Sequence, residues 1–143
     1  MASESSSAAG TQDNETADSD VRHVLIVDDH PEIHAALESF LAKHNFLVTL
    51  QSDGSAGIRW ARSHKPDIIL LDIEMPVMDG IKALYLLRNF SETRRIPVLM
   101  LTARSDQKSV EEAVSLGVRD YVTKPYNLTD MLARIQQVLA ESK

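Results

Sequence analysis

The sequence predicts an α/β fold, a doubly wound parallel sheet enclosed by helices. Apolar runs recur along the chain as VLIV, DIILL and PVLML, each near-continuous rather than alternating. Such runs suit strands covered on both faces, hence a parallel sheet inside helices. Segments of helical periodicity separate them, and strand–helix alternation at this length fits one doubly wound domain. A third observation concerns chemistry. Asp28 and Asp29 follow the first run, Asp72 the second and Thr102 the third, and Lys124 follows YVT. The ends of parallel strands converge in space, so these residues can meet in one pocket.

The first strand is expected at Val24–Val27. A helix follows from Pro31, with Ile33, Leu37, Phe40 and Leu41 on one face. Proline suits a first helical position, where its missing N–H costs nothing. The second strand, Phe46–Gln51, is more mixed and could lie at an edge. Ser55–Ser63 carries Ala56, Ile58, Trp60 and Ala61 as a short helix behind Asp53 and Gly54. The third strand is Ile68–Leu71, and Ile81–Phe90 repeats Leu84, Tyr85 and Leu87 near helical spacing. The fourth strand is Val98–Leu101. It precedes a helix over Gln107–Leu116 that Gly117 ends as a C-cap. The fifth strand is Asp120–Thr123. The last helix, Leu128–Leu139, carries Met131, Leu132, Ile135, Val138 and Leu139, with Asn127 or Thr129 as its cap.

A chain of 143 residues is long enough for one domain with a substantial core. With no cysteine, disulfides, thiolate chemistry and Cys-based zinc sites are excluded. No apolar run approaches the roughly 20 residues that span a bilayer. The start lacks the basic and apolar regions of a secretory signal, so a cytoplasmic location is expected. Of the net charge of −6, residues 1–20 hold −5, from Glu4, Asp13, Glu15, Asp18 and Asp20 without a Lys or Arg. That segment has too little apolar surface to offset its ordering entropy and reads as a disordered acidic tail. Residues 21–143 are then the folded domain. They are not basic overall, which argues against bulk nucleic-acid binding.

Three carboxylates in one pocket repel one another unless a cation sits among them, and hard divalent ions such as Mg²⁺ favour oxygen ligands. A metal, a reactive carboxylate, a hydroxyl and an ammonium together make phosphoryl-transfer equipment.

The chain resembles a response-regulator receiver domain of two-component signalling, of the chemotaxis-regulator type. The resemblance rests on VLIVDDHP at 24–31, DIILLDIEMPVMDG at 67–80, PVLMLTA at 97–103 and GVRDYVTKP at 117–125. It covers essentially the whole folded part and implies a flavodoxin-like sheet of five parallel strands, order 2-1-3-4-5, flanked by five helices. Asp72 matches the phosphoacceptor, whose carboxylate attacks a phosphohistidine or a small phosphodonor to give an acyl phosphate. Asp29 and Asp72, with the backbone carbonyl of Glu74, match the ligands of Mg²⁺, for which Mn²⁺ could substitute. Asp28 would hold a metal-bound water. Thr102 and Lys124 match the groups that contact phosphoryl oxygens, and Pro125 is expected after a cis peptide bond. Tyr121 matches an aromatic switch that turns inward when Thr102 moves toward the phosphoryl group. Ala103 would keep the site open, and Glu74 and Arg104 border the path of the hydrolytic water, where they could form an ion pair. Met75, Pro76 and Gly80 form the loop that starts the third helix, with Gly80 allowing a backbone geometry other residues resist. His30 is read as a polar helix-start residue, because a hard ion prefers oxygen to imidazole.

The partners implied are a sensor histidine kinase or histidine phosphotransfer protein, and an effector on the face of the fourth helix, fifth strand and fifth helix. Neither membrane insertion nor direct nucleic-acid binding is expected. The protein would not be an enzyme but an acceptor taking part in its own phosphorylation and slow autodephosphorylation, as a monomer or phosphorylation-dependent dimer. Because Glu141-Ser142-Lys143 follow the last helix directly, a stand-alone adaptor or phosphorelay intermediate is expected. The alternatives are the receiver of a DNA-binding regulator and a scaffold that is never phosphorylated. Asp120 and Arg134 fit part of the charged dimer pattern of winged-helix regulators, from which Arg119 and Glu112 depart. An aspartyl-phosphate phosphatase would want a second catalytic Asp where Glu74 stands.

Overall fold

The computed structural model describes residues 21–75, 77–103 and 107–141. The acidic segment 1–20, Pro76, Arg104, Ser142 and Lys143 lie outside the described residues, as does the side chain of Ile33. Strands and helices alternate: β1 (Arg22–Val27), α1 (Pro31–Ala42), β2 (Phe46–Gln51), α2 (Gly54–His64), β3 (Ile68–Asp72), α3 (Gly80–Asn89), β4 (Val98–Ala103), α4 (Gln107–Ser115), β5 (Asp120–Lys124) and α5 (Leu128–Glu141). All pairings are parallel, and the sheet order is β2-β1-β3-β4-β5. This is the 2-1-3-4-5 order expected. The order reverses beside β1 and β3, which makes the crevice at their carboxyl ends the natural ligand position.

Alternation along the central strands divides the core into two layers. Val24, Ile26, Ile68, Leu70, Leu99 and Leu101 pack with Leu37 and Leu41 of α1 and Met131 and Ile135 of α5. Leu25, Val27, Ile69, Leu71, Val98 and Met100 pack with Ile58 of α2, Leu84 and Leu87 of α3 and Ala113 of α4. β2 is an edge strand, as its mixed composition suggested, and it exposes Leu47.

Three strands run further than their apolar stretches. The ladders continue as Asp72↔Leu101, Thr102↔Thr123 and Ala103↔Lys124. Backbone pairing satisfies the main chain whatever the side chain, so polar residues complete the strands. The helix ends are tied locally. Asp53 accepts from the Ala56 N–H (2.8 Å), Asp79 from Lys82 (2.9 Å) and Asn127 from Asp130 (3.0 Å). Asn127 therefore caps α5, of the two candidates. After α4, Gly117 at φ 81° donates to the Val114 carbonyl and Val118 to that of Ala113, a Schellman ending. Arg88 of α3 donates to the carbonyls of Leu116 and Gly117, and to that of Ile96 before β4, fastening α3 to its neighbours.

Val77, in the loop between β3 and α3, has φ 70° and is 98 % exposed. A β-branched residue in the left-handed region costs about 1–2 kcal/mol, and here no packing offsets it. Val77→Gly is expected to raise the unfolding free energy by about 1 kcal/mol, read from urea denaturation. An unchanged or lower midpoint would show that the loop holds no such strain.

Candidate functional site

The carboxyl ends of β1, β3, β4 and β5 bring the acids, the hydroxyl and the ammonium to one crevice. Asp72 ends the central strand β3 and is 2 % exposed, while Asp28, just beyond β1, is fully buried. Asp29 is the open member of the trio, with 31 % of its side chain exposed. Lys124 ends β5 and reaches across the sheet. Its Nζ lies 3.2 Å from Asp28 Oδ2 and 3.1 Å from Asp72 Oδ2. The Lys124–Pro125 peptide is cis, as expected. The Glu74 N–H donates to Asp72 Oδ1 (3.2 Å), and the Glu74 side chain is exposed to solvent.

The remaining expected residues surround this centre. Thr102 is buried on β4, and its hydroxyl donates to the Ala103 carbonyl (3.1 Å) rather than toward Asp72. Ala103 is half-buried beside it. Tyr121 is 42 % exposed and borders a hollow whose wall includes Thr102, Ala103 and Val114. Met75 packs at the margin of the α2–α3–α4 core layer. Arg134 is held within the chain by Asp120 (2.9 Å) and Asp130 (3.1 Å), and Arg119 lies 3.4 Å from Glu141.

One expectation needs correction. Gly80 is not in the left-handed region; a Cβ there would lie 2.2 Å from the Asp72 carbonyl oxygen. Its missing side chain allows close approach, not unusual φ. His30 precedes α1 as its N-cap, the helix-start position expected, and its ring also meets the acids. Its Nδ1 lies 2.8 Å from Asp28 Oδ1, 3.3 Å from Asp29 Oδ1 and 3.8 Å from Asp72 Oδ2. Sequence reasoning also missed two buried polar groups near Asp28. His34 Nε2 lies 4.0 Å from Asp28 Oδ1 and has no hydrogen-bond partner; the Tyr126 hydroxyl has none either. The i, i+4 spacing of His30 and His34 was the one available signal.

Charge settles unevenly over the acids. Burial pushes Asp28 up, but hydrogen bonds from His30 and the Lys124 charge outweigh it and hold Asp28 below its ordinary value. Burial and the neighbouring Asp28 charge push Asp72 up, against the pull of Lys124. Burial would lower Lys124, yet Asp72 and Asp28 raise it. Burial and the same two acids push the Tyr126 hydroxyl up to about 12.

Asp28, Asp29, His30 and Asp72 each offer a donor atom within 4.8 Å of the others. Asp29 Oδ1 and Asp72 Oδ2 are buried without an aligned hydrogen bond, although Lys124 lies close to the latter. Unsatisfied carboxylate oxygens at one point are what a hard divalent cation requires, so the residues fit Mg²⁺.

The family model for the response regulator receiver domain matches residues 24–136. Protein PilH of Pseudomonas aeruginosa is 38% identical over 117 residues, covering 82% of this chain and 97% of that protein. The transcriptional regulatory protein CseB of Streptomyces coelicolor is 39% identical over 120 residues, 84% of this chain and 50% of that protein. The chain thus spans about half the length of the first curated relatives it matches. A receiver domain of a Pseudomonas aeruginosa sensor histidine kinase superposes with TM-score 0.77 at 31% identity, covering 84% of this chain and 98% of that one. That structure holds a magnesium ion coordinated in the active site cleft. The chain belongs to the response regulator receiver domain family, the phosphorylation-switched modules of two-component signalling. Among the described residues, no helix is long and apolar enough to cross a membrane.

Proposed function

We propose that Asp72 accepts a phosphoryl group from a histidine kinase or a histidine phosphotransfer protein, and that the modified domain signals by protein–protein contact. The observation that carries this reading is Asp72 itself, buried at the crevice floor with Oδ2 beside Lys124 and unsatisfied otherwise. A carboxylate oxygen forms the new O–P bond as the donor's N–P bond breaks, and the leaving imidazole nitrogen takes up a proton. Asp29, Asp72 and the Glu74 carbonyl, with Asp28 behind, would hold Mg²⁺ or substitute Mn²⁺. Such an ion neutralises the carboxylates and the phosphoryl oxygens. Lys124 is already placed to accompany the new charge. Thr102 must turn from the Ala103 carbonyl to donate to it, and the hollow beside Tyr121 gives the ring somewhere to go.

The same chemistry makes the chain an acceptor rather than a turnover enzyme, working in the cytoplasm as a domain of residues 21–143. A second reading keeps the phosphoacceptor and places it in a DNA-binding regulator. The likeness to CseB, a transcriptional regulatory protein, supports that version. Intact mass after treatment with a small phosphodonor tests the shared core. A gain of one phosphoryl group is expected with Mg²⁺, and none without it or in Asp72→Asn. A gain that persists in Asp72→Asn would refute the assignment.

A further inference from the structure

The amino end of the sheet, opposite the crevice, carries a row of cations. Arg22 begins β1, Lys65 lies just before β3 and Arg95 just before β4. These three strands are neighbours, so the topology sets the cations side by side. They rim a hollow of about 310 Å³ that Ile96 and Leu139 help to floor. Lys65 and Arg95 are exposed. Two acids share the hollow, and both are engaged elsewhere. Asp67 Oδ2 accepts from the His23 N–H (2.7 Å). Glu92 pairs with Arg62 (3.2 Å) and acts on Lys65 only at longer range. Among the described residues, no carboxylate forms an ion pair with Arg22, Lys65 or Arg95. Such a row of like charges draws counter-charge to itself.

A second observation is the charge of the segment that leads into this row. Residues 1–20, outside the described residues, hold Glu4, Asp13, Glu15, Asp18 and Asp20 without a Lys or Arg. All of these acids except Glu4 fall between positions 13 and 20, directly before Arg22. An extended chain spans at most about 3.6 Å per residue, so Asp20 stays within about 7 Å of Arg22 and Asp18 within about 14 Å. The tether therefore holds the acids beside the cations at high local concentration. A single exposed ion pair contributes little, but several on one short tether act together. The segment is poor in apolar residues, so charge rather than burial is what it brings.

We propose that the acidic stretch 13–20 docks on this row within the same chain, its carboxylates pairing with Arg22, Lys65 and Arg95. The docked stretch covers the basic end of the domain, and an anionic partner must displace it to bind there. The crevice lies at the opposite ends of the same strands, so the inference stands apart from the phosphoacceptor reading.

The chain has no cysteine, so Gln12→Cys provides a single site for a nitroxide spin label. Paramagnetic broadening of amide signals in the full isotope-labelled chain then reads where the acidic stretch sits. Broadening at Lys65 and Arg95 should be at least about twofold stronger at low salt than in about 0.5 M NaCl, where exposed charges are screened. Lys65→Glu combined with Arg95→Glu should weaken it by a similar factor. So should Asp13→Asn, Glu15→Gln, Asp18→Asn and Asp20→Asn made together, which keep the tether and remove its charge. Broadening that is the same in every chain and at both salts reports the tether alone and would overturn the proposal. Isotope-labelled chain without the nitroxide, mixed with unlabelled spin-labelled chain, should show none. Broadening there would seat the stretch on a second copy and overturn the proposal as well. An unfolding midpoint matching wild type shows that each variant keeps the fold.

Discussion

Lys124→Met is expected to lower the unfolding free energy of the metal-free protein by about 3 kcal/mol at neutral pH. The ammonium sits between Asp28, which is fully buried, and Asp72, which is 3 % exposed at the side chain. Removing one partner of a buried ion pair leaves an uncompensated charge, and that penalty exceeds the worth of the pair itself. The pH dependence follows from the directions of the shifts. Lys124 is raised, so its contribution is complete below 10.5 and is lost as pH rises through its higher folded value. Asp28 is lowered, so its contribution is complete above 3.8 and is lost as pH falls through its lower folded value. Asp72 runs the other way. Its folded value is raised, so proton uptake on acidification toward 3.8 favours the folded state. The gap between wild type and Lys124→Met should therefore be widest from neutral pH to about 10 and shrink in acid. Denaturant titrations at several pH values measure it. Mg²⁺ should stabilise the variant more than wild type, because the ion then supplies the missing positive charge. A gap that is absent, or unchanged by pH, would mean that Lys124 does not compensate these acids.

Most of this arrangement was legible because strand interiors and chemistry use different residues. The runs ending at Val27, Leu71 and Leu101 marked the three central strands, and the residues after them marked the crevice. The strand ends were less legible. Asp72, Thr102 and Lys124 follow the apolar runs, yet they still hold ladder positions at or next to the strand ends, because pairing depends on the backbone. The contact of His30 with Asp28 was not legible either. Metal preference argued for oxygen donors, whereas the position of an imidazole depends on how the chain turns before α1. At φ −104° and ψ 97°, that turn lets Nδ1 reach Asp28. Tyr126 follows the lysine–proline pair and gave no signal of its own; only packing against the α1–α5 core layer takes it inside.

Gly80→Ala is the second large effect, and it connects packing to chemistry. A Cβ at position 80 would meet the Asp72 carbonyl oxygen at 2.2 Å, the Ile73 Cα at 2.7 Å and the Asp72 carbonyl carbon at 2.9 Å. All three are backbone atoms, so no rotamer change relieves the contact. The Gly80 N–H also donates to the Ile73 carbonyl (2.7 Å), which fixes the start of α3 against the end of β3. Overpacking a rigid site costs about 1–3 kcal/mol, and a clash with main chain belongs at or beyond the upper end. The strain falls on the peptide that carries Asp72, the proposed acceptor, and small displacements of a reacting group are expensive in rate. Gly80→Ala should lose about 3 kcal/mol of stability and accept phosphoryl groups at least tenfold more slowly under conditions where it remains folded. Gly54→Ala is the matched control. A Cβ there meets the Met78 sulfur at 3.1 Å, and a flexible methionine can give way. At the first position of α2 the added methyl also limits the unfolded chain, so its stability should stay within about 1 kcal/mol of wild type. Equal behaviour of the two variants, in denaturation and in phosphorylation rate, would show that the contact with Asp72 does not position the acceptor.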